Sequence, residues 1–496
     1  MNRRSVMRTL LAGAIAGTIP NVLRAESPRL AGDDWLAGWR TFGREAEGPT
    51  TATIEGRWPG SLTGTLYRNG PGWFDRAGLR YEHWFDGDGL MRAWKIADGK
   101  VTHTARMVAT LKFQQEQKAG KFEVGAAGTH IPDTRPARNN DDFNTANTAV
   151  VRIGDRVFAL WEGGSAIEVD PDSLETRGPM TWREDLVAAP FSAHPLLERD
   201  GSAWNFGSLA FFNGSGLMIW NIGADGALRK FQLLQSPEPG YLHAFAMTPK
   251  YLVFMLMPFS LSEVDGAFFS RMRFATRKPC RVALVPKDDL GTPRWFECEF
   301  TAAYHFGDAF EKGNEVVMRT VRHLDAEEAR SPMVQAMHGV KRESAVGGST
   351  FGTELASLHL NLTTGAARWR NSGVRGVEFP TWDERTPGTG PARVYAPCTV
   401  GRADAPYFNG VASIDAETGK QQRWRYGGKV YSEEHRFVPK PGSARPGEGW
   451  LLGTLLDYEH GRSGVTVLDA EHVQDGPLAT AWVPYTTPLG FHGWFA

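Results

Sequence analysis

The residue of greatest chemical interest stands close to the carboxyl end of the chain. His492 lies in the apolar segment LGFHGWF, residues 489–495, and only Ala496 follows this segment. Chain ends usually fray, so the composition predicts that this end is held inside the fold. Neighbouring glycines let the backbone approach closely, and imidazole is the commonest metal ligand. Taken alone, His492 is more simply explained as a packed side chain, so a metal site requires partners.

Three further histidines stand in distinctive settings. His194 precedes a proline in SAHP, which favours an extended backbone, and His243 and His305 lie among aromatic residues in YLHAF and YHFGDAFE. From His194 to His492 the successive separations are 49, 62 and 187 residues. These separations are too wide for one helix or one loop. They suit a fold in which several repeats each bring one ligand to a common axis.

A weak internal repeat indicates such a fold. A short apolar strand that ends near Asp or Asn and leads into a polar turn recurs at residues 167–170, 360–362, 413–415 and 467–469. Asn361, Asp415 and Asp469 are spaced 54 residues apart. A period of this size built from β-hairpins is typical of propeller blades, although hairpins resemble one another in any all-β protein.

The remaining local patterns predict mostly strands and turns. The 56 glycines and 30 prolines favour many short strands. Short helices are expected only at residues 286–290 and 325–329. The polar, irregular stretch at residues 114–147 is predicted to be a lid, a binding loop or a disordered segment.

Composition and missing motifs exclude several classes of function. The chain of 496 residues has 55 basic and 56 acidic side chains, so it shows no electrostatic footprint for nucleic acid. Phosphate-loop, dinucleotide-binding and G-x-S-x-G motifs are absent, which disfavours hydride transfer and serine hydrolysis. The 17 tryptophans and 28 phenylalanines supply a large core. Small, neutral ligands are therefore expected.

Three cysteines, Cys280, Cys298 and Cys398, show no C-x-x-C spacing, so a thiolate zinc cluster is excluded. A disulfide between Cys280 and Cys298 is one possibility, and buried free thiols are the favoured one.

The first residues predict export. NRRSVM at residues 2–7, followed by a mildly apolar stretch and Pro20, is typical of a twin-arginine signal peptide that ends near Ala25. The apolar stretch is too short to span a bilayer. A Sec signal or a lipid-proximal anchor is the alternative. The expected organisation is a signal peptide at residues 1–25 and a single propeller domain at residues 26–496, in a periplasmic protein.

The chain resembles the carotenoid cleavage oxygenase family, which includes carotenoid, apocarotenoid and lignostilbene oxygenases and the retinal pigment epithelial membrane protein. Nine blocks occur in the family order: RNGP (68–71), HWFDGDG (83–89), NTANT (144–148), LWEGG (160–164), SAHP (192–195), LHAF (242–245), HFGDAFE (305–311), EFP (378–380) and FHG (491–493). The resemblance implies an all-β fold, a seven-bladed β-propeller with a dome of loops and helices over an axial metal site. It also implies one Fe(II) per subunit, held by four histidines: His194, His243, His305 and His492.

The resemblance further implies that three glutamates orient the ligands. Glu162, Glu378 and Glu434 are expected to pair with His243, His305 and His492, respectively, because a metal-bound imidazole usually donates its other N–H to a carboxylate. The assignment of Glu434 is complicated by the adjacent Glu433. Two departures from the family pattern, Ala244 and Asp308, affect tuning of the site rather than ligation.

The implied activity is cleavage of a C=C bond by O₂ to give two carbonyl products, with a carotenoid or apocarotenoid as substrate. Stilbene-cleaving relatives typically carry a lysine before the first glutamate, where this chain has Trp161, and an indole cannot pair with a phenolate. A lignostilbene-type dioxygenase remains the alternative. A non-catalytic exported propeller, with structural or zinc-binding histidines, is a second alternative.

An apolar substrate suggests contact with a membrane. Phe268, Phe269, Met272 and Phe274 alternate with basic residues and are expected to form an apolar patch with a basic rim, or else a core strand with a solvated loop.

Overall fold

The structure is a computed structural model that describes residues 34–210, 214–263, 266–330, 334–340, 352–385, 393–401 and 406–496. The predicted export signal, residues 1–25, lies outside the described residues.

Seven antiparallel sheets form the blades of a β-propeller. In blade I the order from the axis outward is β33 (Gly493–Phe495), β3 (Gly64–Trp73), β6 (Asp88–Ala97), β7 (Lys100–Met107) and β1 (Ala46–Thr51). Blade II contains β8 (Ala149–Ile153), β9 (Arg156–Leu160), β10 (Ile167–Val169) and β11 (Thr176–Pro179). Blade III contains β12 (Leu196–Leu197), β13 (Ala203–Ser208), β14 (Gly216–Ile222) and β15 (Leu228–Gln235).

The other four blades follow along the chain. Blade IV contains β16 (Gly240–Tyr241), β17 (Ala246–Met247), β18 (Tyr251–Leu261), β19 (Met272–Phe274), β20 (Cys280–Pro286) and β21 (Arg294–Cys298). Blade V contains β22 (Phe306–Lys312), β23 (Glu315–His323), β24 (Thr353–Asn361) and β25 (Ala367–Arg375). Blade VI contains β26 (Arg393–Cys398), β27 (Gly410–Asp415) and β28 (Gln421–Arg425), and blade VII contains β29 (Val430–Pro439), β30 (Gly449–Asp457), β31 (Arg462–Asp469), β32 (Pro477–Val483) and β2 (Thr53–Gly56).

Both ends of the described chain close the ring. β2 adds the outer strand of blade VII by pairing with β32, and β33 adds the inner strand of blade I by pairing with β3. The backbone N–H of Asn69 donates to the carbonyl of His492 at 3.0 Å. The prediction that the carboxyl end is held inside the fold is therefore confirmed.

The core consists of interfaces between neighbouring blades. Central strands of the blades are deeply buried, and all nine residues of β30, with sequence GWLLGTLLD, are buried. Outer strands such as β25 keep one face in solvent, which is why they alternate in polarity. One apolar cluster joins Phe206 of blade III to Phe254 of blade IV, and another joins Leu355 of blade V to Ile414 of blade VI. The blades are thus held by apolar side chains, not only by strand pairing.

Loops and short helices cover one end of the ring. The helices are α1 (Leu111–Ala119), α2 (Phe268–Arg271), α3 (Ala326–Arg330) and α4 (Val334–Met337), with 3-10 helices at Trp35–Trp39, Trp84–Asp86, Asn140–Asp142, Glu184–Leu186 and Val473–Asp475 and a small hairpin of β4 (Asp75–Arg76) and β5 (Leu79–Arg80). The Thr110 hydroxyl caps α1 by accepting from the backbone N–H of Phe113, and Gly120 ends it with a φ of 66°.

Two local predictions are corrected. The helix predicted at residues 325–329 is confirmed as α3, but that at 286–290 is wrong because β20 continues to Pro286, which pairs with Tyr251. Residues 114–147 begin inside α1 and continue as an ordered loop held by buried polar side chains, among them Asp142, which accepts from the backbone N–H of Arg138 at 2.7 Å.

The predicted membrane patch is wrong for three of its four residues. Phe269, Met272 and Phe274 are buried in the core of blade IV, and only Phe268 is half-buried at its edge. No helix in the described ranges is long and apolar enough to cross a membrane. The basic side chains between these residues therefore surround a core segment and do not rim an exposed apolar surface.

The cysteines are buried and free, as favoured from the sequence. Cys280 and Cys298 face each other across β20 and β21.

Candidate metal centre

The four predicted ligands converge because each precedes an inner strand. His194 lies just before β12, His243 between β16 and β17, His305 just before β22, and His492 just before β33. Inner strands of a propeller surround its axis, so the residue at the start of each one points into the same central space. Blades I, III, IV and V therefore contribute one imidazole each.

The imidazoles form a compact cage. Nε2 of His194 stands 2.9 Å from Nε2 of His243, and Nε2 of His305 stands 3.1 Å from Nε2 of His492. One ring nitrogen from each of the four lies within 4.8 Å of the others. Two nitrogens on opposite sides of an ion with bonds of about 2.1 Å stand about 4.2 Å apart, so the cage has nearly the size that one ion needs.

Each predicted glutamate contacts the predicted histidine. Nδ1 of His305 donates to Glu378 Oε2 at 2.6 Å, and Nδ1 of His492 donates to Glu434 Oε1 at 2.9 Å. Nδ1 of His243 also donates to Glu162 Oε1. These bonds turn Nε2 of each ring toward the cage. All three expected pairings are thus present in the geometry.

A β-bulge explains why two adjacent glutamates are both buried in β29. Consecutive residues of a regular strand face opposite sides, but the register between β29 and β30 shifts between Ser432 and His435. Glu434 turns to His492, while Glu433 accepts from Arg92 at 2.9 Å. The pattern of two acidic residues does not reveal which glutamate faces the histidine, but the bulge does.

Arginine 68 connects the cage to the body of the propeller. Nη1 of Arg68 donates to Glu434 Oε2 at 2.8 Å, and Nη2 donates to the carbonyl of Phe491 at 3.0 Å. The backbone N–H of Gly493 also donates to Glu434 Oε2 at 2.8 Å. Arg68 is fully buried, so it compensates the charge of Glu434 where water cannot. Sequence analysis placed Arg68 in the RNGP block but did not assign this role.

Glu162 and Glu378 each contact one further side chain besides the histidine of the cage. The hydroxyl of Tyr241 donates to Glu162 at 3.2 Å, and Nε2 of His323 lies 3.2 Å from Glu378 Oε1. Sequence analysis missed both residues, since a tyrosine or histidine inside a strand gives no distinguishing signal. His194, by contrast, has no carboxylate partner among the described residues.

Burial sets the protonation states in the cage. Desolvation lowers the pKa of His194, His243 and His492 well below the usual range of histidine. Burial opposes the ionisation of Glu378, but the imidazoles of His305 and His323 outweigh it and hold the pKa of that carboxyl below its usual range. Neutral imidazoles beside ionised carboxylates are the state that a divalent metal requires.

The donor set fits a first-row transition metal. Imidazole suits iron, zinc, copper and nickel, and an octahedral ion with four protein ligands keeps two positions open. The four rings leave the full charge of a divalent ion uncompensated, and the three glutamates supply negative charge one hydrogen bond further out.

A largely apolar cavity of about 780 Å³ opens on the cage. Its aromatic and apolar wall residues are Trp84, Phe85, Ala127, Trp161, Phe269, Tyr304, Phe379, Tyr407, Phe408 and Phe491. They come from the dome, from α2 and from segments between blades. His243, His305 and His492 form the end of the cavity. The polar residues Thr148, Glu162, His323 and Glu378 also line it, but most of the wall offers apolar surface to a ligand beside the cage.

A second cavity, of about 640 Å³, reaches the cage from another side and is lined in part by charged residues. His194, His305 and His492 contact it, and Arg436 pairs with Glu384 at 2.7 Å in its wall. The first cavity suits an apolar ligand better.

The fold is an all-β propeller whose axial cage of four histidines could hold a metal ion beside an apolar cavity. Residues 39–496 match the retinal pigment epithelial membrane protein family. The chain belongs to this family, and the resemblance deduced from the motifs is confirmed.

Relatives extend over almost the whole chain. The chain is 27% identical to the apocarotenoid-15,15'-oxygenase of Synechocystis sp. over 95% of this chain and 97% of that protein. It is 28% identical to lignostilbene-alpha,beta-dioxygenase isozyme III of Sphingomonas paucimobilis over 89% of this chain and 92% of that protein. The crystal structure of cobalt-substituted apocarotenoid oxygenase from Synechocystis has a TM-score of 0.81 at 25% identity, covering 93% of this chain and 98% of that chain. These relatives are oxygenases, and one has been studied with a substituted metal.

Proposed function

We propose that this protein is a non-haem, Fe(II)-dependent dioxygenase that cleaves one C=C bond of a carotenoid or apocarotenoid with O₂. Both bonds between the two alkene carbons break, each carbon receives one oxygen atom of O₂, and two carbonyl products form. The observation that supports this proposal most strongly is the cage of four histidines at the end of an aromatic cavity. The oxygenase relatives support the reaction class.

The residues have separate roles in this proposal. His194, His243, His305 and His492 hold the ion. Glu162, Glu378 and Glu434 orient three of these rings. When bound, Fe(II) supplies open coordination positions and the electrons that activate O₂.

The cavity wall holds the substrate. Phe379 and Phe491 lie against the cage, with the ring centroid of Phe379 4.8 Å from that of His305. Aromatic walls exclude water from a reactive centre and bind a polyene through its apolar surface.

Trp161 supports a polyene over a phenolic stilbene. Its side chain lines the cavity next to Glu162, at the position where a lysine would bind a phenolate. An indole offers apolar area there. The lignostilbene relative is the observation that favours the alternative, a stilbene-cleaving dioxygenase.

The test measures metal content and turnover together. Protein purified without oxygen and loaded with Fe(II) should contain about one iron per chain and consume one O₂ per polyene cleaved. A stilbene assayed beside an apocarotenal at equal concentration decides between the two substrates. Protein that contains no iron and cleaves neither compound would support a non-catalytic binding propeller instead.

We also propose export by the twin-arginine route, on the pattern at residues 2–7. This route transports folded cargo, which suits a protein that must acquire its metal before export. Changing Arg3 and Arg4 to lysine should retain the protein inside the cell, as measured by fractionation. Unchanged export of this variant would favour a Sec signal.

A further inference from the structure

A histidine outside the cage contacts one of its glutamates from the cavity side. His323 is the last residue of β23, and its Nε2 lies 3.2 Å from Glu378 Oε1. The other carboxylate oxygen, Oε2, accepts from the ligand His305 at 2.6 Å. His323 lines the 780 Å³ cavity, with 8% of its side chain exposed. His323 is not one of the four cage residues, so metal binding does not explain its position in the cavity wall.

The carboxylate fixes the tautomer of His323. An ionised carboxylate only accepts hydrogen bonds, so the ring nitrogen that faces it must carry hydrogen. Nε2 of His323 is therefore the donor, and in the neutral ring Nδ1 keeps a lone pair. Among the described residues, the hydrogen bond of this ring goes to Glu378 alone.

Two neighbouring hydroxyl groups of the wall already donate hydrogen bonds within the protein. The hydroxyl of Tyr304 donates to the carbonyl of Ala329 at 2.6 Å, and that of Thr148 donates to Asn147 at 3.0 Å. Tyr304 also packs edge-on against His323, with ring centroids 5.3 Å apart and planes at 85°. This contact fixes the orientation of the imidazole. His323 is thus an oriented imidazole in a mostly apolar wall.

We propose that His323 determines specificity by accepting a hydrogen bond, at Nδ1, from a hydroxyl group of the substrate. This inference rests on the proposed alkene cleavage and adds that the natural polyene carries a hydroxyl. A hydrocarbon leaves the acceptor unpaired, and a carbonyl oxygen places a second acceptor against it. We expect a hydroxylated substrate to be preferred by about 10- to 100-fold in kcat/KM.

The experiment compares two apocarotenals of equal chain length that differ only in a ring hydroxyl. His323→Leu removes both ring nitrogens and should abolish the preference. His323→Gln can still donate to Glu378 through its amide nitrogen and accept through its oxygen, so it should restore part of the preference. A ratio of kcat/KM values cancels any general loss of activity that follows from disturbing Glu378.

The matched control is His359→Leu. His359 lies on β24 of the same blade and pairs with Glu315 at 3.1 Å, outside the cavity. This variant should keep the wild-type preference.

Binding measured without oxygen separates this inference from the proposed function. Quenching of tryptophan fluorescence gives Kd for both compounds in the iron-loaded protein when no chemistry occurs. A hydroxyl preference of tenfold or more in Kd that is lost in His323→Leu supports the role of His323. Equal Kd values, or a preference that survives in His323→Leu, overturn it even if the enzyme cleaves both compounds. Selective binding without cleavage in air overturns the proposed function instead.

Discussion

Two glutamates of the cage are supported in opposite ways. Glu434 lies in the propeller body beside the buried Arg68, which belongs to a charged network with Glu433 and Arg92. Glu162 lies at the cavity wall, and among the described residues its hydrogen-bond donors are Tyr241 and His243. On the side of Glu434, which we call the body side, compensated charges both stabilise the fold and orient a histidine of the cage. On the side of Glu162, which we call the cavity side, neutral hydrogen bonds orient a histidine of the cage and contribute little to the stability of the fold.

The largest expected effect comes from removing the buried cation. Arg68→Met leaves Glu434 uncompensated and should lower the free energy of unfolding by about 3–5 kcal/mol. Urea denaturation of the metal-free protein measures this. A loss below about 1 kcal/mol would remove the distinction between the two sides.

Acid should weaken the body side through Glu433. Burial opposes ionisation of Glu433, but Arg92 and Arg68 outweigh it and lower the pKa of Glu433 to about 2. Because the folded pKa lies below the unfolded value, this carboxyl stabilises the fold above about pH 4.5 and loses its contribution as pH falls toward 2. By pH 3.5 the loss is about 1.4 kcal/mol.

Glu433→Gln is the control for that prediction. The variant should be less stable than wild type at pH 7, and the difference should narrow by pH 3.5. A difference that stays constant between these pH values would contradict the role of the ionised carboxyl.

Changing the orienting carboxylates should weaken metal binding on both sides. Glu434→Gln and Glu162→Gln should each lower iron affinity about 10- to 100-fold, measured by competition with a chelator. Only Glu434→Gln should also lower the free energy of unfolding, because it removes the charge of the carboxylate nearest to the buried Arg68, at 2.8 Å. Equal loss of stability in the two variants would show that the cavity side also carries the fold.

The smallest expected effect is that of Tyr241→Phe. This change removes one neutral hydrogen bond to Glu162, so iron affinity should fall less than about tenfold and the free energy of unfolding by about 0.5 kcal/mol at most. Competition with a chelator measures the iron affinity, and urea denaturation measures the free energy of unfolding. A fall in iron affinity as large as that of Glu162→Gln would mean that the hydroxyl, not the carboxylate alone, positions His243.

The two sides also differ in how far sequence predicts them. The four histidines and three glutamates stand in short motifs that resemble those of the family, and this resemblance, more than the weak hairpin repeat, predicts the seven-bladed ring and its axial residues. The sequence does not predict the bulge in β29, because a register shift depends on pairing with β30. His323 and Tyr241 are missed because only the packing of distant segments brings them to the glutamates. The supposed membrane patch fails since alternating apolar and basic residues do not distinguish a core strand from an exposed loop.

The most direct test of the central claim is cleavage of the polyene under ¹⁸O₂, with products reduced at once to alcohols and analysed by mass spectrometry. We predict one labelled oxygen in each of the two products from the wild-type protein. Deleting residues 492–496, which removes His492, should abolish both iron binding and labelled product. Label in only one product, or in neither, would contradict a dioxygenase centred on the four histidines.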